Sequence, residues 1–196
     1  MRVMQNFYPI FAYLFGAIPF GPIFSHMFGN GKLRESGSKN VGATNAFRTQ
    51  GKAIGIMTLL FDFIKGFIPC FFFKTECNCL NLLILVAPVL GHIFSIWLKF
   101  KGGKGIATYF GVLCALSPLV CLGTALMWSI VFIITKISAV AGLVSIVSSL
   151  IIFNYAGTAL YLDFINQLYA LIGMVVLIII RHSENIKRLM KKEQRT

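Results

Sequence analysis

A polar loop that contains glycine interrupts an otherwise apolar chain. It reads Gly37-Ser-Lys-Asn-Val-Gly-Ala-Thr-Asn45, and an arginine follows three residues later. Small residues let the backbone approach a bound group closely, while hydroxyl, amide and guanidinium groups supply hydrogen-bond donors for an anion. The loop therefore predicts a phosphate site. Its candidate ligands are Ser38, Asn40, Asn45 and Arg48.

A second polar segment, at residues 99–108, places three glycines around Lys104 where a helix is expected to begin. Free N–H groups and the helix dipole favour anions at a helix N-terminus, and the lysine adds a positive charge. The glycine spacing differs from that of a Walker A motif. The alternative is a tight turn whose lysines reach the membrane surface. The three glycines are Gly102, Gly103 and Gly105.

A third polar segment, at residues 181–189, contains His182 and Asn185. On a helix that continues out of the last span, residues three apart share a face. A neutral histidine can accept a proton or position a hydroxyl, and an asparagine can bind a hydroxyl or a phosphate oxygen. The alternative is a basic helix that lies on anionic lipid. For the neighbouring lysines we favour that alternative, and for His182 and Asn185 both interpretations stay open.

Two charged residues, Asp62 and Lys65, lie within a predicted span, three residues apart. Unpaired charges in lipid are costly, so we expect the two side chains to pair and face the bundle. We favour a role in bracing the active site over a purely structural one. His92 lies in the next span, and we interpret it as a packed core residue.

Composition indicates a helical membrane protein. The chain has 196 residues, of which 57% are hydrophobic and 12% are charged, and its mean hydropathy is +0.81. A soluble domain of this length could not bury so much apolar surface. The net charge of +12 sits in short loops and at the C-terminus, which argues against nucleic acid as a partner. The five cysteines form no zinc pattern, and we predict neither a metal nor a cofactor.

Seven membrane-spanning helices in one domain, residues 1–196, account for this pattern. A span needs about 20 apolar residues. The apolar run at residues 106–135 is too long for one upright span and too short for two, so we divide it at Ser117-Pro118 into a short helix and a longer one. The first run lacks a cleavage site and is interpreted as a retained span. The predicted spans are residues 4–28 (interrupted by Pro19 and Pro22), 53–73, 80–98, the two parts of 106–135, 137–155 and 163–180.

The distribution of basic residues predicts the orientation. With the C-terminus inside, most of the 18 Lys and Arg residues fall on the cytoplasmic side, and only Arg2 and Lys74 fall outside. This bias follows the positive-inside rule. We therefore predict an N-terminus outside, a C-terminus in the cytoplasm, and all three polar segments on the cytoplasmic face.

Taken together, the motifs resemble those of the bacterial acyl-phosphate:glycerol-3-phosphate acyltransferases, the PlsY family. The resemblance covers nearly the whole chain, and its specificity comes from the motifs occurring in order on seven spans. The motifs are Gly16-Ala-Ile-Pro-Phe-Gly21, the 37–45 loop, Asp62-Phe-Ile-Lys-Gly66, Gly91-His, Phe100-Lys-Gly-Gly-Lys-Gly and His182-x-x-Asn-Ile-x-Arg-Leu189.

The resemblance implies transfer of an acyl chain from acyl phosphate to the sn-1 hydroxyl of glycerol 3-phosphate, which gives lysophosphatidic acid and phosphate. It places Ser38 and Arg48 at essential positions of the first motif. Lys104 and its glycines match the glycerol 3-phosphate-binding motif, and His182 and Asn185 match the third motif. Arg34 and Asn40 align with further recurrent positions. We expect a monomer in the bacterial inner membrane that binds acyl phosphate, glycerol 3-phosphate and lipid, and needs no cofactor.

The chain departs from the family pattern at several positions. Ala17 replaces a usual serine, and Lys39 replaces a glycine inside the phosphate loop, where it should exclude a backbone torsion reserved for glycine. Ala139 stands where a phosphate-contacting serine is usual, and Ser138 could replace it only after a shift of one residue. Gln194 departs from a closing Gly-x-Glu motif.

Two other functions would use similar basic loops. A transporter of a phosphorylated solute needs polar groups along a path to the outer face, whereas here they cluster on one side. A structural protein that binds anionic headgroups would explain the C-terminal lysines but not Ser38, Asn40 and Asn45. No Cys or Ser has an evident His/Asp partner, so direct attack by the glycerol hydroxyl is the simpler mechanism.

Overall fold

The computed structural model describes residues 2–157 and 164–191, and this part of the chain is helical, with connecting turns and loops. The α-helices are α1 (Arg2–Gln5), α2 (Tyr8–Ala17), α3 (Phe20–Phe28), α4 (Ala43–Thr49), α5 (Lys52–Phe72), α6 (Asn78–Ile93), α7 (Ile106–Leu116), α8 (Pro118–Thr135), α9 (Ser138–Gly157), α10 (Phe164–Arg181) and α11 (Ser183–Met190). A 3₁₀ turn at Ile96–Leu98 follows α6.

Six segments of the described chain are long and apolar enough to cross a membrane. The break predicted at Ser117-Pro118 is confirmed, since α7 ends at Leu116 and α8 begins at Pro118. Helix α7 has 11 residues, about 16 Å, which is roughly half the thickness of the hydrocarbon layer. The count of seven spans therefore stays a prediction. The predicted start of the last span, Asp163, lies outside the described residues.

The first span is interrupted, as the sequence predicted, but only one of its two prolines marks the break. Helix α2 ends at Ala17 and α3 begins at Phe20, with Ile18 and Pro19 between them. Pro22 lies in the first turn of α3, where the missing N–H has no partner to lose. The break exposes the carbonyl of Ile18 to neighbouring side chains.

The chain divides into two compact units, the first of which ends at Cys121 and the second of which begins at Leu122. In the first unit α5 packs against α7 and α4, and α2 packs against α6. Helices α5 and α7 approach closely because each has a glycine at the contact. A Cβ added to Gly66 would lie 2.1 Å from the Thr108 carbonyl oxygen, and one added to Gly111 would lie 2.0 Å from that of Phe63. Small residues serve this purpose between membrane helices.

The second unit contains the pair α9 and α10, with α11 following α10. Buried hydroxyls in α9 are satisfied within the helix, since Ser145 donates to the Gly142 carbonyl and Ser149 to that of Ile146. The rings of Phe153 and Phe164 stack with centroids 5.3 Å apart. The single domain predicted from the sequence stays a prediction.

Candidate active site

The first polar loop is folded around the side chain of Asn45, which is 2% exposed. Its Oδ1 accepts a hydrogen bond from the Ser38 N–H at 2.9 Å. Its Nδ2 donates to the carbonyls of Leu33 (2.9 Å), Ser36 (3.1 Å) and Asn40 (2.9 Å). These four hydrogen bonds all go to the loop backbone. A direct contact between Asn45 and substrate stays a prediction, and the geometry favours a supporting role.

Two neighbouring residues of this loop adopt left-handed backbone conformations. Gly37 has φ +59° and Lys39 has φ +58°. We expected that Lys39 would exclude a torsion reserved for glycine, and this expectation is wrong, because the lysine itself takes a positive φ. A non-glycine residue does so at a cost of about 1–2 kcal/mol. The loop therefore keeps this turn in the presence of the lysine.

The other predicted ligands of the first segment lie at or near the surface. Ser38 and Asn40 are half-buried, and Arg34 is exposed. Arg48 is exposed in the last turn of α4. Exposed guanidinium groups and a half-buried hydroxyl suit an anion that arrives from water.

The second polar segment forms a tight turn at the end of α6. The Gly102 N–H donates to the Ile93 carbonyl at 3.0 Å and the Gly103 N–H to the His92 carbonyl at 3.1 Å. A Cβ on Gly102 would lie 2.0 Å from the His92 oxygen, so a larger residue cannot replace it without displacement. Gly105 has φ +91° and precedes the first residue of α7. The predicted entry of this turn into a helix is confirmed.

The first unit brings these two segments together at one end. The Arg34 guanidinium donates to the Lys101 carbonyl at 3.5 Å, which is a long bond. Gly21, after the break in the first span, is so close to the first loop that a Cβ there would lie 2.0 Å from the Val41 oxygen. A small cavity beneath is lined by residues of the first span, the first loop, α5, α6 and the turn after α6, among them Val41 of the loop and Ser95 of the turn.

A buried cluster of Asp62, Lys65 and His92 borders the same cavity. The Lys65 Nζ lies 2.8 Å from the Asp62 Oδ1, and the His92 Nδ1 lies 3.6 Å from the same oxygen. The three side chains are 2–6% exposed. The predicted pairing of the two charged residues is confirmed, and so is the buried position of His92. We call these three residues the buried cluster.

The third segment belongs to the second unit. His182 is 3% exposed and stands between two helices, since α10 ends at Arg181 and α11 begins at Ser183. The continuous helix expected here is therefore wrong. The His182 Nδ1 lies 2.8 Å from the Ile178 carbonyl oxygen, so Nδ1 carries the proton and Nε2 is the acceptor in the neutral ring. Asn185 is half-buried in the first turn of α11.

Comparison with known proteins identifies the family. A family model described as glycerol-3-phosphate acyltransferase matches residues 7–192. The chain is 40% identical to the glycerol-3-phosphate acyltransferase of Pelagibacter ubique over 93% of this chain and 92% of that protein. It is 38% identical to that of Aquifex aeolicus over 94% of each. The chain belongs to the glycerol-3-phosphate acyltransferase family. The resemblance stated from the motifs is confirmed.

Solved structures agree with this assignment. The glycerol 3-phosphate form of PlsY (YgiH), an integral membrane glycerol 3-phosphate acyltransferase, superimposes with a TM-score of 0.88 at 37% identity. Its lysophosphatidic acid form gives a TM-score of 0.85 at 36% identity, and each covers 96% of this chain and 93% of that chain. The protein is thus an acyltransferase enzyme of the membrane, and its reaction belongs to phospholipid biosynthesis.

Sequence reasoning missed the residues that hold the acyltransferase loops from beneath. Gln50 accepts hydrogen bonds from the Ser25 hydroxyl at 3.1 Å and from the Asn30 N–H at 3.2 Å. Ser95 donates to the Ala17 carbonyl at 2.5 Å. Gln50 joins the end of α4 to α3 and to the turn after it, and Ser95 joins the turn after α6 to the end of α2. Nothing in their types or spacing distinguishes them from other polar residues at helix ends.

The remaining departures from the family pattern lie at the edges of the described chain or of the site. Ala17 is buried at the break in the first span. Ser138 is the first residue of α9 and Ala139 the second. Gln194 lies outside the described residues. Within residues 2–157 and 164–191, no three His, Cys, Asp or Glu side chains are grouped so that they could hold a metal ion.

Proposed function

We propose that this enzyme transfers an acyl chain from acyl phosphate to the sn-1 hydroxyl of glycerol 3-phosphate at the cytoplasmic face of a bacterial inner membrane. The observation that carries the proposal is the hydrogen bond from Arg34 of the first polar segment to the Lys101 carbonyl of the second, at one end of the first unit. Each segment has the chemistry of a phosphate site, and the reaction brings two phosphates together. The similar PlsY structures are of a glycerol 3-phosphate form and a lysophosphatidic acid form.

The proposed roles divide the two anions between the segments. Ser38 and Arg48 bind the phosphate of the acyl donor, and Lys104 with Gly102, Gly103 and Gly105 binds glycerol 3-phosphate. Arg34 and Asn40 add donors that reduce the repulsion between the anions. His182 and Asn185 position the attacking hydroxyl, which requires the third segment to join the other two. The acyl tail lies in a groove between helices that is open to lipid.

The reaction needs no covalent enzyme intermediate. The glycerol oxygen forms a bond to the acyl carbon, the bond from that carbon to the phosphate oxygen breaks, and inorganic phosphate leaves. The hydroxyl proton passes to the His182 Nε2 or to the departing phosphate. Holding two reactants in a reactive geometry supplies roughly 7–11 kcal/mol of barrier reduction, so binding and orientation are the main contribution asked of the protein.

The proposal includes a topology. Seven helices, with α7 as the short one, place the N-terminus outside and the C-terminus in the cytoplasm. In the first unit, α5 begins at Lys52, at the end nearest the site. Its opposite end leads into a loop that contains a single lysine, Lys74. The excess of basic residues at the site end is what the positive-inside rule expects of a cytoplasmic face. The enzyme acts as a monomeric, single-domain protein.

The direct test is release of phosphate by the purified protein from acyl phosphate and glycerol 3-phosphate. Parallel reactions contain acyl-CoA or acyl-carrier protein as the donor. Arg48→Ala and His182→Ala should each lower turnover at least about 100-fold while the protein remains inserted in the membrane. Lys74→Ala, which removes an exposed cation at the opposite end of α5, is the matched control and should retain activity. Formation of lysophosphatidic acid only with the thioester donors, which would release a thiol and no phosphate, would reject acyl phosphate as the donor.

A further inference from the structure

Lys65 of the buried cluster connects α5 to the break in the first span. Its Nζ lies 2.8 Å from the Ile18 carbonyl oxygen as well as from Asp62. The same ammonium group lies 5.7 Å from the centroid of the Phe20 ring. The Ile18 carbonyl also accepts a hydrogen bond from the Phe20 N–H at 3.1 Å, but it has no helical donor four residues later, because Pro22 lacks an N–H. Lys65 thus fixes the chain just before Gly21, where the first span touches the first loop.

His92 connects the cluster to the glycine turn. One edge of its ring faces Asp62, through Nδ1 at 3.6 Å. The other edge faces Gly103, where an added Cβ would lie 2.2 Å from the His92 Nε2. The His92 carbonyl also accepts the hydrogen bond of the Gly103 N–H. The imidazole ring therefore fills the space beside Gly103, and the next residue is Lys104.

The ion pair is a poor device for stability alone. A buried pair of charges gains little over an apolar pair of the same size, although removing one partner is strongly destabilising. The pair instead fixes the positions of its neighbours. Lys65 has one oxygen partner on α5 and one at the first-span break, and Asp62 faces both Lys65 and His92. One oxygen, the Asp62 Oδ1, is thus the common point between two loops that carry proposed substrate ligands.

We infer that Asp62, Lys65 and His92 are positioning residues that hold the glycine turn and the first loop in register, so that Lys104 meets the phosphate of glycerol 3-phosphate. The inference rests on the proposed function, because it takes Lys104 as the ligand of that phosphate. The cluster contacts no reacting atom. Its effect is on the affinity for glycerol 3-phosphate more than on the affinity for the acyl donor.

The first measurement compares Michaelis constants for the two substrates. His92→Ala should raise KM for glycerol 3-phosphate about tenfold and leave KM for acyl phosphate within about twofold. His92→Gln, whose amide can reach the position of the ring edge, should recover part of that loss and also serves if the alanine variant folds poorly. Thr58→Val is the matched control. Thr58 is buried one turn earlier on α5, and its hydroxyl donates to the Ile54 carbonyl of the same helix. Valine keeps the methyl group that lies near Gly21, so both constants should stay unchanged.

A double-mutant cycle separates positioning from folding. Asp62→Asn and Lys65→Met should each lower thermal stability, because each leaves the partner in a poor environment. The double variant should regain stability, yet its KM for glycerol 3-phosphate should remain raised about tenfold, since the Asp62 carboxylate that faces the His92 ring beside Gly103 is still missing. Recovery of both stability and KM in the double variant would show that the cluster serves only the fold.

Lys104→Ala belongs in the same series, since it tests the proposed function independently. A raised KM for glycerol 3-phosphate in that variant, together with the same change in His92→Ala, supports the inference. A raised KM in Lys104→Ala alone rejects the positioning role and leaves the proposed site intact. An unchanged KM in Lys104→Ala rejects the proposed binding role of the lysine, and the inference with it. Equal increases for both substrates in His92→Ala also overturn the inference.

Discussion

At the scale of single residues, the first loop depends on the donor side of one buried amide. The Asn45 Nδ2 donates to three backbone carbonyls, whereas its Oδ1 accepts one N–H. Asn45→Asp keeps the acceptor and the shape of the side chain, but it replaces the Nδ2 donor by an oxygen. Three hydrogen bonds to carbonyls then become three repulsive oxygen–oxygen contacts. We expect a loss of at least about 2 kcal/mol of stability and a large loss of acyl transfer, measured by thermal unfolding in detergent and by phosphate release.

The matched control for this change is Asn30→Asp. The Asn30 side chain accepts a hydrogen bond through its oxygen, from the Lys32 N–H at 2.9 Å. An aspartate retains that acceptor, so the same chemical change should have little effect there. Equal sensitivity at both positions would show that added negative charge, and not the lost donors, causes the defect.

Lys39 offers a second test at this scale, because its strain can be separated from its charge. Lys39→Gly removes both the charge and the cost of φ +58°, whereas Lys39→Ala removes the charge alone. The glycine variant should exceed the alanine variant in thermal stability by up to about 1 kcal/mol, after allowance for the greater freedom of glycine in the unfolded chain. Equal melting temperatures would contradict a strained lysine. A change in KM of the same size in both variants would be due to the loss of the positive charge.

Residue types indicated the chemistry of these loops but not which side chains face an anion and which support the loop backbone. Hydroxyl, amide and arginine side chains in a glycine-containing loop predicted an anion site. The sequence could not show that the Asn45 amide points inward to the backbone, since Asn40, five residues earlier, is the same residue with a half-buried side chain. Direction of a side chain depends on how the loop closes, which involves contacts with Leu33 and Ser36.

At the scale of helices, the site depends on the close approach of α5 to α7, which carries the glycine turn at its start. Gly66→Ala would put a methyl group 2.1 Å from the Thr108 carbonyl oxygen. The backbones must then separate, at a cost of about 1–3 kcal/mol. We expect lower thermal stability and weaker binding of glycerol 3-phosphate. Gly173→Ala is the control, because a Cβ at that helical glycine meets nothing within 4 Å. Equal stability of the two variants would exclude close packing as the cause.

Helix boundaries were predictable where proline sets them and not elsewhere. Pro19 and Pro118 mark breaks that the sequence located, because a proline removes an N–H and crowds the preceding turn. The break at His182 has no proline or glycine beside it. The His182 N–H keeps its bond to the Ile178 carbonyl at 3.1 Å, and the His182 side chain adds a second bond to the same oxygen. A change of helix geometry at one residue of this kind leaves no periodic signal in a sequence.

At the scale of the whole molecule, the proposed reaction requires sidedness. The first unit provides a marker at the end opposite the site. Cys77 and Cys79 are exposed between α5 and α6, with their Sγ atoms 2.8 Å apart. The hydrogen bond from the Cys79 thiol holds the pKa of Cys77 below the ordinary value of a cysteine, and backbone N–H groups near the start of α6 add to this effect. A lowered pKa leaves more thiolate at neutral pH, so Cys77 should react readily with a maleimide.

The proposed topology predicts that a membrane-impermeant maleimide labels Cys77 from outside in spheroplasts. A cysteine introduced as Glu35→Cys in the exposed first loop, in a Cys77→Ser/Cys79→Ser background, should be labelled only after permeabilisation or in inverted vesicles. Cys79→Ala alone should slow labelling of Cys77 near neutral pH, because the pKa of Cys77 rises when the hydrogen bond from residue 79 is removed, and the thiolate then forms only at higher pH. Labelling of Glu35→Cys from outside would invert the orientation and place both phosphate-binding segments on the face away from the cytoplasm, where soluble glycerol 3-phosphate could not reach them from the cell interior.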